Sequence, residues 1–216
     1  MRVPDPPLLI VTDRRQARRP LPDVVTAALK AGCRWISIRE KDLPADEQVL
    51  LARSLIPVAH AHGARLTIHG DAALAAAAGA DGVHLPAGSD PAAARALLGE
   101  EKLIGISIHT VIEADGVDPS SVDYVLAGPA FETPSKPGYG PELGRKGLSE
   151  IARVARAPVL AIGGINTACI ADLIAEGASG VGVMGLVMRA PDPERETLTL
   201  ISTLTGSLAI RGRDRC

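Results

Sequence analysis

Short apolar runs alternate with longer segments of helical period along almost the whole chain. The runs at 8–12, 35–39, 65–69, 82–85, 103–107, 124–127, 158–162 and 180–184 have the length and branched-chain content of buried strands. Between them, helical segments are expected at 21–31, 46–62, 91–98 and 148–155, an alanine-rich one begins at Ala72, and a last helix covers 193–208. Only a weak segment around Ile112 separates the fifth run from the sixth. Strand followed by helix, repeated about eight times, predicts parallel strands joined by right-handed crossovers. The expected fold is α/β, a (β/α)8 TIM barrel. It forms one domain over 1–216, with its core at about 8–209 and a charged tail at 210–216. An open doubly wound sheet is the alternative, and the lack of an early G-x-G-x-x-G turn argues against it.

Composition narrows the chemistry. The 216 residues fall within the barrel range of about 200 upward. Aromatic residues are only 2% of the chain, too few for a base-stacking platform, and the formal net charge of −2 does not suit a polyanion partner. Nucleic acid is therefore not an expected partner. No apolar stretch nears the ~20 residues of a membrane span, and the first residues lack the apolar core of a signal peptide. Cys33, Cys169 and Cys216 have no metal-binding spacing, which reads as a reduced, cytoplasmic protein without a disulfide framework.

In a barrel, chemistry belongs to the C-terminal strand ends and the loops that follow them. Two consecutive strands there end in glycine, at Gly163-Gly164 and at Gly185, each ahead of a further segment. Glycine lets backbone N–H groups approach a ligand closely, and a helix start adds positive potential, so the pair reads as a phosphate cradle. Arg39 and Lys41 alternate, so they share a face and point to an anion between them. The alternative is a salt-bridged rim with Glu40 or Asp42. His69 and His109 stand at strand ends, as catalytic or structural histidines. His84 reads as a packed or hydrogen-bonded core residue, and His60 and His62 as helix-end residues. The long loop from Gly128 to Gly140 reads as a lid in which Thr133, Ser135 and Lys136 close on phosphate and Phe131 anchors the base.

Taken in order, several segments resemble the thiamine phosphate synthase and TenI superfamily. They are Ile38-Arg39-Glu40-Lys41, Gly79-Ala80-Asp81-Gly82-Val83-His84-Leu85, Gly105-Ile106-Ser107-Ile108-His109-Thr110, Asp123-Tyr124-Val125, Gly128-Pro129-Ala130-Phe131-Glu132-Thr133 and Ala161-Ile162-Gly163-Gly164-Ile165. The resemblance implies a barrel, commonly a homodimer, acting in thiamine biosynthesis. Synthases join a hydroxymethylpyrimidine diphosphate to a thiazole phosphate with loss of pyrophosphate, using Mg2+. Carried over by position, Arg39, Lys41, Ser107 and Lys136 would hold the pyrophosphate. Thr133 and Ser135, with the backbone of Gly164, Val183 and Met184, would hold the thiazole phosphate.

The chain departs from that pattern where synthases place a Gln (Ser37 here), an Asn-Asp pair (His69-Gly70) and an acidic Mg2+ ligand (Ser89). Asp71 and Asp90 each stand one residue further on as weak replacements. Leu85-Pro86-Ala87-Gly88-Ser89 and Phe131-Glu132-Thr133 are similar to the TenI branch, whose members tautomerise a thiazole phosphate without metal. The sequence therefore leads to a TenI-like proton transfer, with no metal site and with His69, His109, Glu132 and Lys41 as the catalytic candidates. A thiamine phosphate synthase with a displaced Mg2+ site is the alternative, followed by a non-catalytic phosphate-ligand-binding protein.

Overall fold

The computed structural model describes residues 3–133 and 140–213. In them β1 (Leu8–Val11), β2 (Trp35–Ile38), β3 (Arg65–His69), β4 (Gly82–Leu85), β5 (Leu103–Ile108), β6 (Tyr124–Ala127), β7 (Val159–Ile162) and β8 (Gly180–Val183) pair in chain order. Every pair is parallel. Leu8, Leu9 and Ile10 register with Val181, Gly182 and Val183, so β1 closes onto β8 and the sheet has no open edge. This closed barrel rules out the doubly wound alternative.

The helices are α1 (Leu21–Lys30), α2 (Ala45–Ala61), α3 (Ala72–Ala78), α4 (Pro91–Leu98), α5 (Val111–Asp115), α6 (Gly144–Val154), α7 (Thr167–Ala175), α8 (Gly185–Met188) and α9 (Pro193–Arg213). Their starts are chemically marked. Asp71, Asp90 and Asn166 cap α3, α4 and α7 by accepting from first-turn backbone N–H groups. The weak segment at Ile112 is helix α5, held by a capping box between Thr110 and Glu113. Helix α6 begins ahead of the expected 148 because its first turn is polar and carries no apolar period.

The last helix continues to Arg213, beyond the end expected at 208. The Arg211 guanidinium donates to the carbonyls of Ile174 (3.0 Å) and Ala178 (2.5 Å), which ties the charged end to the end of α7. Residues 214–216, including Cys216, lie outside the described residues.

The period of two along each strand separates two apolar clusters. Leu8, Ile10, Ile36, Ile38, Leu66, Ile68, Val83, Ile104, Val125 and Val159 face outward to the helices. Leu9, Val11, Trp35, Leu103, Tyr124, Leu126 and Leu160 fill the inside of the barrel. Trp35 and Tyr124 are the largest side chains fully buried, and they meet edge to face with ring centres 4.6 Å apart. Gly105 registers between His84 on one side and Tyr124 on the other. A Cβ on Gly105 would lie 2.0 Å from Cζ of Tyr124, so glycine is what lets the phenol ring lie across β5.

Below the sheet ends, Arg95 of α4 is almost fully buried and donates to Asp123 at 2.7 Å. Asp123 also accepts from the Ile104 N–H at 2.8 Å, so one carboxylate pins a helix and two strands together. Removing one partner of a buried pair strands the other charge. Asp123→Ala should lower unfolding free energy by about 3–5 kcal/mol. Urea denaturation followed by circular dichroism would measure this, and a loss below 1 kcal/mol would show the pair to be dispensable.

Candidate functional site

The inward parity that builds the barrel interior continues past the strand ends and opens into a cavity of about 520 Å3. Arg39, His69, Ser107, His109 and Met184 each follow an inward-facing position by two or four residues, and all line it. Lys41, Glu132, Thr133, Gly163, Gly164 and Val183 line it as well. The structure therefore brings together Lys41, His69, His109 and Glu132 with Arg39, Ser107 and Thr133 and the two glycine bends. Ser135 and Lys136 lie outside the described residues.

One face of the cavity is cationic because Arg14 takes the nearby carboxylates. Glu40, 1% exposed, accepts from the Arg14 backbone N–H (3.0 Å), and Asp42 takes the Arg14 guanidinium at 2.6 Å. No carboxylate among the described residues pairs with Arg39 or Lys41, so the salt-bridged rim runs through Arg14 instead. The Arg39 N–H donates to Thr12 Oγ1 (3.0 Å), which fixes the backbone at the end of β2. Partial burial, and next the charge of Arg39, lower the pKa of Lys41 below the ordinary lysine value. A lysine whose proton affinity is lowered by a neighbouring cation gains most when an anion lies between the two.

The opposite face is built from glycine, for a reason that differs in part from the expected one. Gly163 (φ +98°) and Gly164 (φ +64°) have positive φ, and their missing Cβ atoms would meet the loop after β6 rather than a ligand. A Cβ on Gly164 would lie 2.4 Å from the Glu132 carbonyl oxygen, and one on Gly163 would lie 2.9 Å from Pro129. The loop is strapped there by Ala130 N–H to the Ile162 carbonyl (2.7 Å) and Phe131 N–H to the Gly163 carbonyl (3.1 Å). Phe131 is half-buried against the core, as an anchor should be. The glycines thus seat the start of the loop, and through it Glu132 and Thr133 reach the cavity.

The starts of α7 and α8 also line this face through Ile165, Asn166, Gly185 and Leu186. First-turn N–H groups lack helical partners, and this favours an anion in front of them.

The histidines separate by their bonds. His84 is fully buried between Tyr124 and Ser107, and burial pushes its pKa down to about 3. His109 lies 2.5 Å through Nδ1 from the Gly128 carbonyl. A carbonyl only accepts, so Nδ1 carries the hydrogen and Nε2 is the acceptor nitrogen of the neutral ring. His69 stands 4.7 Å from the His84 ring, centre to centre, and lines both the main cavity and a neighbouring one. His60 pairs with Asp81, and His62 donates back to the Val58 carbonyl at the end of α2.

The neighbouring cavity holds Asp71, Ser89 and Asp90 together with Lys41 and His69. Among the described residues no group of three or more His, Cys, Asp or Glu side chains gathers as a metal cage. Mg2+ does not need one, since one or two carboxylates plus substrate phosphates and water suffice. Oδ1 of Asp71 and of Asp90 caps a helix, and the second oxygen of each is uncommitted to any described residue, a donor set that suits Mg2+.

Arg189 was not legible as a site residue. It ends α8, its guanidinium covers Gly185 where a Cβ would lie 2.3 Å from a terminal nitrogen, and it donates to Gln16. The four-residue spacing of Gly185 and Arg189 on one helical turn is the signal for it, and it shows only once α8 is known to be helical.

A closed parallel barrel with a cavity at the C-terminal ends of its strands, cationic on one side, has the layout in which barrel enzymes carry out their chemistry. The chain belongs to the thiamine monophosphate synthase family, whose profile matches residues 8–187. The thiamine-phosphate synthase of Roseiflexus sp. (strain RS-1) is 42% identical over 206 residues, covering 94% of this chain and 87% of that protein. That of Chlorobium luteolum (strain DSM 273 / BCRC 81028 / 2530) is 38% identical, covering 98% and 100%. Among solved structures, the thiamine phosphate pyrophosphorylase from Pyrococcus furiosus superposes with a TM-score of 0.83 at 29% identity, covering 93% of this chain and 96% of that one. These relatives carry the synthase name and give no support to the leaning toward the TenI branch.

Two outcomes follow from this geometry. Gly164→Ala should weaken binding of inorganic phosphate at least tenfold by pushing the Glu132 carbonyl out of place, measured by calorimetry; unchanged affinity would detach that bend from anion binding. Lys41 holds an anion only while protonated, and its lowered pKa makes it lose that proton earlier as pH rises. Pyrophosphate affinity should therefore fall on the alkaline side at a lower pH than an ordinary lysine would impose, and Lys41→Gln should abolish that limb of the titration.

Proposed function

We propose that this chain is a thiamine-phosphate synthase, joining a hydroxymethylpyrimidine diphosphate to a thiazole phosphate. The observation that carries the reading is that two groups of residues suited to anions line one cavity. Arg39, Lys41 and Ser107 form one, and the glycine bends with Thr133 and Arg189 form the other. A reaction between a diphosphate and a phosphate fills both; a carboxylated thiazole phosphate also carries two anions, but its single carboxylate calls for fewer donors than Arg39, Lys41 and Ser107 together supply. The synthase names of the relatives agree with this.

In the reaction, the C–O bond between the pyrimidine methylene and the diphosphate breaks, and the electron pair leaves with pyrophosphate. The thiazole ring nitrogen then supplies the pair for the new C–N bond. Arg39 grips the departing group through paired N–H donors, and Lys41 adds a mobile charge as negative charge develops there. Ser107 donates a hydrogen bond to the same group. Val11, Leu126, Ile162 and Leu186 give the cavity apolar walls that keep water from capturing the cationic pyrimidine methylene before the thiazole does. The thiazole phosphate is held by Thr133 and the backbone at Gly164, Val183 and Met184, with Ser135 and Lys136 assigned to the anions by family position. Asp71 and Asp90 would hold Mg2+, which when bound neutralises charge on the diphosphate.

A second reading, a TenI-like proton transfer, has one observation in its favour: His109 is held with Nε2 as its acceptor nitrogen, the state a general base requires. Glu132 and His69 would be its alternatives.

Purified protein given pyrimidine diphosphate, thiazole phosphate and Mg2+ should form thiamine phosphate, and a chelator should stop it. Arg39→Ala should lower kcat by about 10²–10³, the scale for losing a preorganised donor at a charged transition state. Tautomerisation of the carboxylated thiazole phosphate without any thiamine phosphate would decide for the second reading.

A further inference from the structure

Inside the barrel a polar chain runs from its floor to the cavity. The Tyr124 hydroxyl lies 3.0 Å from His84 Nδ1, and His84 Nε2 lies 2.9 Å from Ser107 Oγ. The Tyr124 ring stacks on the imidazole at 5.5 Å and 29°, a placement that the missing Cβ of Gly105 makes possible. Ser107 is the end of the chain that reaches the cavity.

We propose that His84 is a positioning residue: Tyr124 locks it in the Nε2–H tautomer, and it then donates to Ser107 Oγ so that the serine hydrogen points at the bound anion. The name of that anion, the diphosphate, rests on the synthase reading; the direction of the chain does not.

The direction follows from counting hydrogens. Tyr124 is fully buried, and among the described residues its hydroxyl has His84 Nδ1 as its hydrogen-bond partner. A phenol carries one hydrogen, and a buried donor left unmade costs more than an acceptor lone pair left unused. Tyr124 therefore donates, Nδ1 accepts, and a neutral ring must carry its hydrogen on Nε2. With burial pushing its pKa down to about 3, His84 stays neutral at any ordinary pH.

Nε2–H donates to Ser107 Oγ, whose own hydrogen then has no place in that contact and turns outward to the cavity. In the reverse order Ser107 would donate to Nε2, Nδ1–H would donate to the phenol oxygen, and the Tyr124 hydrogen would be stranded among Trp35, Leu103 and Leu126. An outward hydroxyl hydrogen suits an anion; an outward lone pair repels one.

The test has two arms. Nitrogen-15 spectra of the imidazole side chains should show His84 as Nε2–H in the wild type and a mixture of tautomers in Tyr124→Phe. Calorimetry with inorganic pyrophosphate should show about a tenfold loss in Ser107→Ala, the scale of one hydrogen bond to a charged group. Tyr124→Phe should lose about two- to tenfold, the share of competent tautomer given up. His84→Leu should lose as much as Ser107→Ala, and His84→Gln, whose amide N–H can replace Nε2–H, should recover most of it.

Binding of thiazole phosphate, which the synthase reading places at the glycine face, should be unchanged in all four variants, which separates positioning from damage to the barrel. An Nδ1–H tautomer, a wild-type tautomer retained in Tyr124→Phe, or equal losses for both anions would overturn the proposal. Wild-type protein that does not bind pyrophosphate would overturn its anion half. Failure to make thiamine phosphate with the tautomer and binding results intact would instead sink the synthase reading alone.

Discussion

Everything at the cavity depends on the two-residue period of a closed parallel sheet. Each strand turns alternate residues inward, and closure leaves no edge at which that parity could slip by one without exposing an apolar row. Because Trp35 faces inward, so do Ser37 and Arg39; because Leu103 does, so do Gly105, Ser107 and His109. The apolar packing of the lower barrel thus aims the polar groups at its mouth. A substitution that disturbed the interior cluster would reach the site through register as well as through stability.

Within that frame, polar groups are sorted by which of them find partners. Arg14 takes Glu40 and Asp42, and this leaves Arg39 and Lys41 on the next face without a carboxylate partner among the described residues. Asp71 and Asp90 each spend one oxygen on a helix cap and keep the other. His84 is buried and satisfied on both nitrogens, so burial keeps it neutral, whereas His69 and His109 border the cavity. Three histidines of one residue type acquire different roles from their surroundings alone.

The loop after β6 and the glycine bend after β7 depend on each other. The chain must pass within van der Waals contact of Gly163 and Gly164, and any side chain there would push Pro129 or the Glu132 carbonyl away. The same contact carries Thr133 to the wall of the cavity. A glycine pair that reads as a cradle for a ligand is in the first place a seat for backbone.

The sequence by itself determined the eight strands, their parallel order and most helices, because these follow from runs of apolar residues and from the capping chemistry of Asp, Asn and Thr. It also placed Arg39, Lys41, Ser107 and the glycines at strand ends, where a barrel does its chemistry. Only the tertiary structure decided which charges pair. Arg14 and Glu40 lie 26 residues apart, and nothing local couples them. The same holds for Arg189 over Gly185, which needs α8 to be a helix, and for Tyr124 reaching His84 across Gly105, which needs three strands in register. Periodicity is a local property that a sequence displays directly. Partnership between distant side chains is set by closure of the sheet, and it exists only in the folded chain.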